Sequence, residues 1–436
     1  MTDRQRHRSE WLRQFSARRD DGNLQVWGIS EWFNEPVELD TIDRRLPEQL
    51  QAHLKYDVDQ VVWDAGRSEL AYHSDLPGTT TFGDRDPSTP LHQLFTKHRP
   101  FEYYKNWCQA HDKCAIMRLC MNRWYGGEDK FAKAHPDFAE RAPNGEVDKS
   151  RMCYAIPGLR QERREILLEL HRKGADVLIL DFCRQPPILK YHPTLVEGWQ
   201  KESGTDPREI VSYDIRDYLD WFRYRANFLT EFMRELRAGL LEQEAELGRP
   251  CCLIPRIPDS SPILTIAAGI DVETWLREDL ADATMLSPLV WSEVDMGSHP
   301  EYHVEVCHRY GKACIGGIGT LALLGGSSSD SGPTAPPWKQ FAFYLRAFRQ
   351  HQAGVDAMSI YQTDGIYTRE ELAEFVRPFN DAAACERLAV AGIEQAPEEL
   401  PRRFGFAPGL DCHSTAWGYP PSGRFYYLGP VGSERL

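Results

Sequence analysis

Carboxylates, arginines and flat aromatic rings recur in this 436-residue chain where short apolar runs end. "GISEWF" holds Glu31, "VVWD" closes on Trp63 and Asp64, and "CAIMRLCMN" closes on Asn122, with Arg123 and Trp124 behind it. "GADVLILDFCRQPP" contributes Asp181 and Arg184, and "IPRIPD" contributes Arg256 and Asp259. "LVWSEVD" adds Trp291, Glu293 and Asp295; "SIYQTDG" adds Tyr361 and Asp364. Hydrolysis of a glycosidic bond needs this set. One carboxylate acts as nucleophile or base, one protonated carboxyl acts as acid, and flat rings pack against sugar faces.

Other chemistries lack their residues. No lysine sits within the apolar runs, which counts against Schiff-base chemistry. There is no His-x-His in the first run and no histidine cluster, so an amidohydrolase-type metal site is not expected. Neither a GxSxG elbow nor a GxGxxG after a strand occurs. The eleven cysteines are an odd number, with no CxxC pair, and read as buried free thiols of a reducing compartment. A net charge of −14 argues against nucleic acid. No apolar run approaches membrane-spanning length, and "MTDRQRHRSEWLRQF" is too polar for a signal segment. The expectation is a cytoplasmic protein with no cofactor or metal and a carbohydrate as its partner. Its size is compatible with a homodimer.

The elements that must position these residues alternate. Strands are expected at 24–30, 58–64, 114–122, 176–182, 251–257, 283–290, 313–319 and 356–362. Helices are expected at 159–173, 216–247, 336–352 and 368–385. In 216–247 an apolar face returns every three to four residues through Leu219, Phe222, Ala226, Leu229, Met233, Leu236 and Leu240. Strands apolar on both faces between helices imply a parallel sheet under a helical layer. Eight such units fit a (β/α)₈ TIM barrel with long βα loops, although a doubly wound open sheet shares the pattern. The barrel with its N-terminal helix is expected over residues 1–395. A Gly-, Pro- and aromatic-rich extension or cap follows at 396–436, and "GGSSSDSGPTAPP" (325–337) is a loop after the seventh strand. In such a barrel the residues that end strands lie at the active-site face.

Three stretches carry a family resemblance: the strand-ending "LDFCRQP", the approach "HP…YAIPGLRQ" before it, and "GIDVETWLREDLAD" before the sixth strand. Over roughly residues 95–365 the chain resembles the family 10-like glycosyl hydrolases. The resemblance implies a barrel and a carbohydrate substrate, and it makes Asp181, ending strand four, the nucleophile, with Arg184 holding it ionised. The plainer alternative is an Asp–Arg pair that ties the strand to its loop. On the nucleophile reading, Asp181→Asn abolishes activity and leaves stability nearly intact.

Glu293 beside Trp291 suits a general acid, since an apolar neighbour raises a carboxyl's pKa, and Asp295 competes for the role. Asp64 and Glu31 are reserves for the acid role or for binding a sugar hydroxyl; the plainer reading for each is hydrogen bonding within the barrel mouth. Trp124 and Trp291, just past their strands, are favoured as sugar platforms over Trp63 and Tyr361, and Asn122 with Arg123 forms a clamp. Arg184 and Arg256 make the pocket locally basic, which fits an anionic sugar such as a uronate, or an arginine bound to a catalytic aspartate. His192, in "KYHP", either lines the site or is a loop histidine. Two rivals remain. One is a phosphate-binding isomerase or lyase using Gly316–Gly319 of "GGIGTLALLGG"; the other is a non-catalytic sugar-binding barrel.

Overall fold

The computed structural model describes residues 3–30, 41–121, 129–183, 187–210, 212, 215–288, 298–319, 337–395, 409–410 and 425–426. Eight parallel strands form a closed ring: β1 (Gln25–Ser30), β2 (Gln60–Gly66), β3 (Ile116–Cys120), β4 (Val177–Asp181), β5 (Cys252–Pro258), β6 (Ala283–Ser287), β7 (Ala313–Ile318) and β8 (Ala357–Tyr361). Each pairs with the next, and β1 pairs with both β2 and β8, so the sheet has no edge. This is a (β/α)₈ barrel; the open-sheet alternative is excluded by the β1–β8 ladder. All eight expected strands are present; most are one to three residues shorter at an end, while β2 and β5 run two and one residues past their expected ends.

Side chains alternate strictly between two cores, because successive residues of a strand face opposite sides. Ile29, Val62, Ile116, Ile179, Ile254, Met285 and Ile315 fill the barrel. Their neighbours, such as Val61, Trp63, Leu119, Leu178, Leu253 and Leu286, meet the surrounding helices. The N-terminal helix Asp3–Ser16 closes the barrel floor: Leu12 joins the interior core, and the Trp27 indole N–H donates to the Phe15 carbonyl at 3.2 Å. Arg8 anchors that helix, reaching Glu244 at 2.9 Å and Asp282 at 3.3 Å in a buried ionic cluster.

The long helix Leu219–Leu247 runs as its periodicity predicts and stops at Gly248, whose φ of 66° closes the last turn. The helix expected over 368–385 divides into Glu370–Val376, a 3₁₀ turn Arg377–Asn380, and Ala382–Gln395. Pro378 is the cause, since it lacks the N–H and its ring clashes with the preceding turn. Of the expected extension 396–436, the description covers an antiparallel pair, Gly409–Leu410 with Phe425–Tyr426. The ten cysteines among the described residues are buried and unpaired.

Candidate active site at the barrel mouth

Above the apolar filling, the C-terminal layer of the barrel changes character. Register places Asp64 of β2 beside Arg118 of β3, and Asp181 of β4 beside Arg256 of β5. Arg118 bridges the first pair to the second. Its Nη1 lies 3.2 Å from Asp64 Oδ2; its Nε and Nη2 lie 2.7 and 2.5 Å from Asp181 Oδ2. Arg256 Nη1 reaches both Asp181 oxygens at 3.0 Å, and its Nη2 donates to Ser287 Oγ of β6 at 2.6 Å. Tyr361 of β8 completes the layer, accepting from Arg118 Nη2 at 2.8 Å. The Arg118 and Arg256 guanidinium carbons lie 5.0 and 4.4 Å from its ring centroid.

The result is an alternating row, Asp64–Arg118–Asp181–Arg256, in which two cations meet two anions and Tyr361, against both guanidiniums, closes the ring. Charges at these distances in a dry interior need such pairing, because unpaired burial is costly. Asp181 is fully enclosed, and the Cys183 N–H adds a fourth contact at 2.9 Å to its Oδ1. Asp64, Tyr361 and Arg256 retain exposures of 9%, 8% and 5%, so the ring opens to solvent on their side. A bulge between Asp64 and Gly66 turns the backbone there. Gly66 has φ +102°, any Cβ on it would strike the Glu69 carbonyl, and its N–H donates to Asp64 Oδ1 at 3.1 Å.

A second layer of polar contacts supports the rim. Asp259, just past β5, pairs with Arg346 of the helix Pro337–Ala353, whose Nε also donates to the Gly317 carbonyl at 3.3 Å. On the β8 side, His53 Nε2 meets Thr363 Oγ1 at 2.9 Å and Ser30 Oγ at 3.3 Å. Burial lowers the pKa of His53 to about 4, so this imidazole is neutral. The turn it holds carries Asp364, 9% exposed, and begins at Gln362, a non-glycine residue with φ 61°.

The residues expected at the site therefore divide. Asp181, Asp64, Arg256 and Tyr361 are brought together. Trp63 is not: period-two alternation sends its ring outward from a strand whose Val62 and Asp64 face in. It packs 5.2 Å from Tyr104 and is wholly buried. His192 is also away from the ring. It caps the helix Pro193–Ser203, its Nδ1 accepting from the Thr194 N–H at 3.2 Å, while its Nε2 meets the Asp137 carbonyl at 2.9 Å. Tyr361 turns its ring to the guanidiniums, which differs from a free sugar platform. Glu31, Asn122, Arg123, Trp124, Arg184, Trp291, Glu293 and Asp295 lie outside the described residues.

Arg118, the hub, was not anticipated. Its signal was a charged residue inside "IMRLC", in register with inward-facing Ile116 and Cys120. Ser287 and Arg346 carried no comparable signal. For the phosphate rival, the Gly317 N–H is already spent on Gln350 Oε1 at 2.9 Å. The glycine itself is required because a Cβ there would strike the Leu286 carbonyl.

No family model matches the chain, and no curated protein matches it. Among solved structures it is similar to α-L-fucosidase isoenzyme 2 from Paenibacillus thiaminolyticus, at 12% identity over 87% of this chain and 50% of that one, with a TM-score of 0.48. It is similar to a β-galactosidase from the psychrophilic Marinomonas ef1, at 11% identity over 88% and 61% of the two chains, TM-score 0.49. A β-N-acetylhexosaminidase from Bacteroides fragilis is similar at 12% identity over 87% and 70%, TM-score 0.45. The chain thus spans half the length of the fucosidase and 61% of the β-galactosidase. Likenesses of this strength leave the function to be argued from the barrel mouth itself.

Proposed function

We propose that the protein is a glycoside hydrolase whose reaction takes place over the Asp64–Arg118–Asp181–Arg256 ring. The observation that carries the reading is the ring's position: a carboxylate-rich, arginine-ordered layer at the C-terminal face of a (β/α)₈ barrel, where barrel enzymes do their chemistry. Asp64, with its edge in solvent, is the carboxylate that meets the sugar. Asp181, with contacts from Arg118, Arg256 and the Cys183 N–H, fixes the arginines from beneath; this replaces its nucleophile role in the sequence reading. Glu293 keeps its sequence-based role as general acid, and the resemblance to the family 10-like hydrolases supports the same substrate class.

The choice between neutral and anionic sugars follows from donor bookkeeping. A guanidinium recognises a carboxylate through a free fork of two N–H groups. Arg118 spends its three nitrogens on Asp64, Asp181 and Tyr361; Arg256 spends its two terminal nitrogens on Asp181 and Ser287, and its remaining donor, Nε, is buried and out of a ligand's reach. The floor of the site is therefore charge-balanced, and we propose a neutral sugar at that subsite in place of a uronate. A panel of aryl glycosides and oligosaccharides, neutral and uronate, tests both points. Release of aglycone or reducing sugar from neutral members is expected. Turnover confined to uronates would sink the neutral-sugar assignment, and saturable binding without turnover would favour the sugar-binding rival.

A further inference from the structure

Glu140 lies outside the ring, in the hairpin Ala139–Arg141 with Val147–Met152 that follows β3. It is wholly buried, and neither of its carboxyl oxygens has a hydrogen-bond partner. A buried carboxyl is normally satisfied several times over, so this one is placed at a cost. The groups around it come from three elements. The Cys153 thiol, just past the hairpin, and the Lys190 backbone N–H, in the segment after β4 that also carries His192, are turned toward it and favour its charged form, though not enough to offset burial, and Arg225 of the helix Leu219–Leu247 acts on Cys153.

The cationic side chains nearby are committed to other partners. Lys190 Nζ is turned to Asp148 at 2.9 Å, which also holds Arg151 at 2.6 Å. Both His192 nitrogens are committed, to the Thr194 N–H and the Asp137 carbonyl, and Arg225 donates to the Leu189 and Ala267 carbonyls. Meanwhile the hairpin is joined to the β4 segment directly, the Tyr191 N–H donating to the Arg141 carbonyl at 3.2 Å.

We propose that Glu140 is a pH-operated latch: protonated, it lets the hairpin seat on residues 188–192; ionised, it drives the two apart to reach water. Burial holds its pKa above the ordinary glutamate range, which keeps the seated form intact on the acid side. For an acid whose folded pKa is raised, the seated state is favoured below the unfolded pKa and is lost as pH rises through the folded one. The 188–192 segment follows β4, which carries Asp181, and the hairpin lies on the chain between β3, which carries Arg118, and β4. Release therefore loosens one wall of the barrel mouth.

Hydrogen–deuterium exchange of the whole chain at pH 6 and pH 9, corrected for intrinsic chemical rates, tests the latch. Between the pKa of the released form and the higher pKa of the seated form, each pH unit multiplies the ratio of released to seated chain about tenfold. Excess exchange at pH 9 is expected in 139–152 and 188–192 of the wild type and is absent in Glu140→Gln, which keeps the shape and cannot ionise. Equal excess in both proteins would assign the effect to another group. No excess in the wild type would overturn the proposal whatever the variant does.

Discussion

Arg118 touches Asp64, Asp181 and Tyr361 at once. Its position explains why Asp181 can be enclosed at all. Removing the charge of Asp181 would leave Arg256 bonded to a neutral amide and Arg118 shared between fewer anions. Breaking a buried ion pair from one side costs about 3–5 kcal/mol. Asp181→Asn is therefore expected to lower unfolding stability in urea by that order, which departs from the nearly unchanged stability that strand-end placement alone implied. A loss below about 1 kcal/mol would mean that the arginines find other partners, since that is the worth of an exposed pair. From the sequence, the carboxylate–arginine chemistry was legible in "LDFCR" and "IPRIPD". The identity of Asp181's partners was not: local spacing pointed to Arg184, whereas the described contacts come from strands on either side, 63 and 75 residues away.

At the scale of elements, strand after strand was legible because apolar runs of five to seven residues stand between polar helices. What hydrophobicity alone could not supply was facing. Trp63 and Asp64 are adjacent in sequence, and only the register of β2 against β3 decides that the carboxylate enters the barrel and the indole leaves it. Two helix-borne histidines make a testable statement at this scale. His53 and His303 are both fully buried, and desolvation lowers each to about pKa 4 from an ordinary 6.5. For a base held neutral in the folded state, the unfolded chain takes up protons first. Stability is complete above about pH 6.5 and falls as pH drops toward 4, each histidine removing on the order of 1.4 kcal/mol per pH unit in that window. Urea midpoints at pH 7.5, 5.5 and 4.5 should decline, and His53→Gln should flatten part of the slope. A curve unchanged between pH 7.5 and 4.5 would mean that both rings are protonated without penalty.

At the scale of the whole molecule, the described residues form a closed barrel with a helix plugging its floor and a charge-balanced ring at its mouth. Barrel closure came through in the sequence as a count of eight strands, since each strand needs its own apolar run. The mouth did not come through as well, because side chains contributed by β2, β3, β4, β5, β6 and β8 meet there and only three-dimensional register brings them together. The ring's outward edge, Asp64, is where the proposed chemistry touches substrate. The most direct test is the turnover of Asp64→Asn against wild type on whichever glycoside the panel identifies, with melting temperature recorded for both. Losing a carboxylate that acts in the transition state should lower kcat/KM by about a thousandfold or more, some 4 kcal/mol, at a temperature where the melting curve shows the variant still folded despite the lost Arg118 pair. If the variant turns substrate over within a few-fold of wild type, the reaction does not take place on this ring.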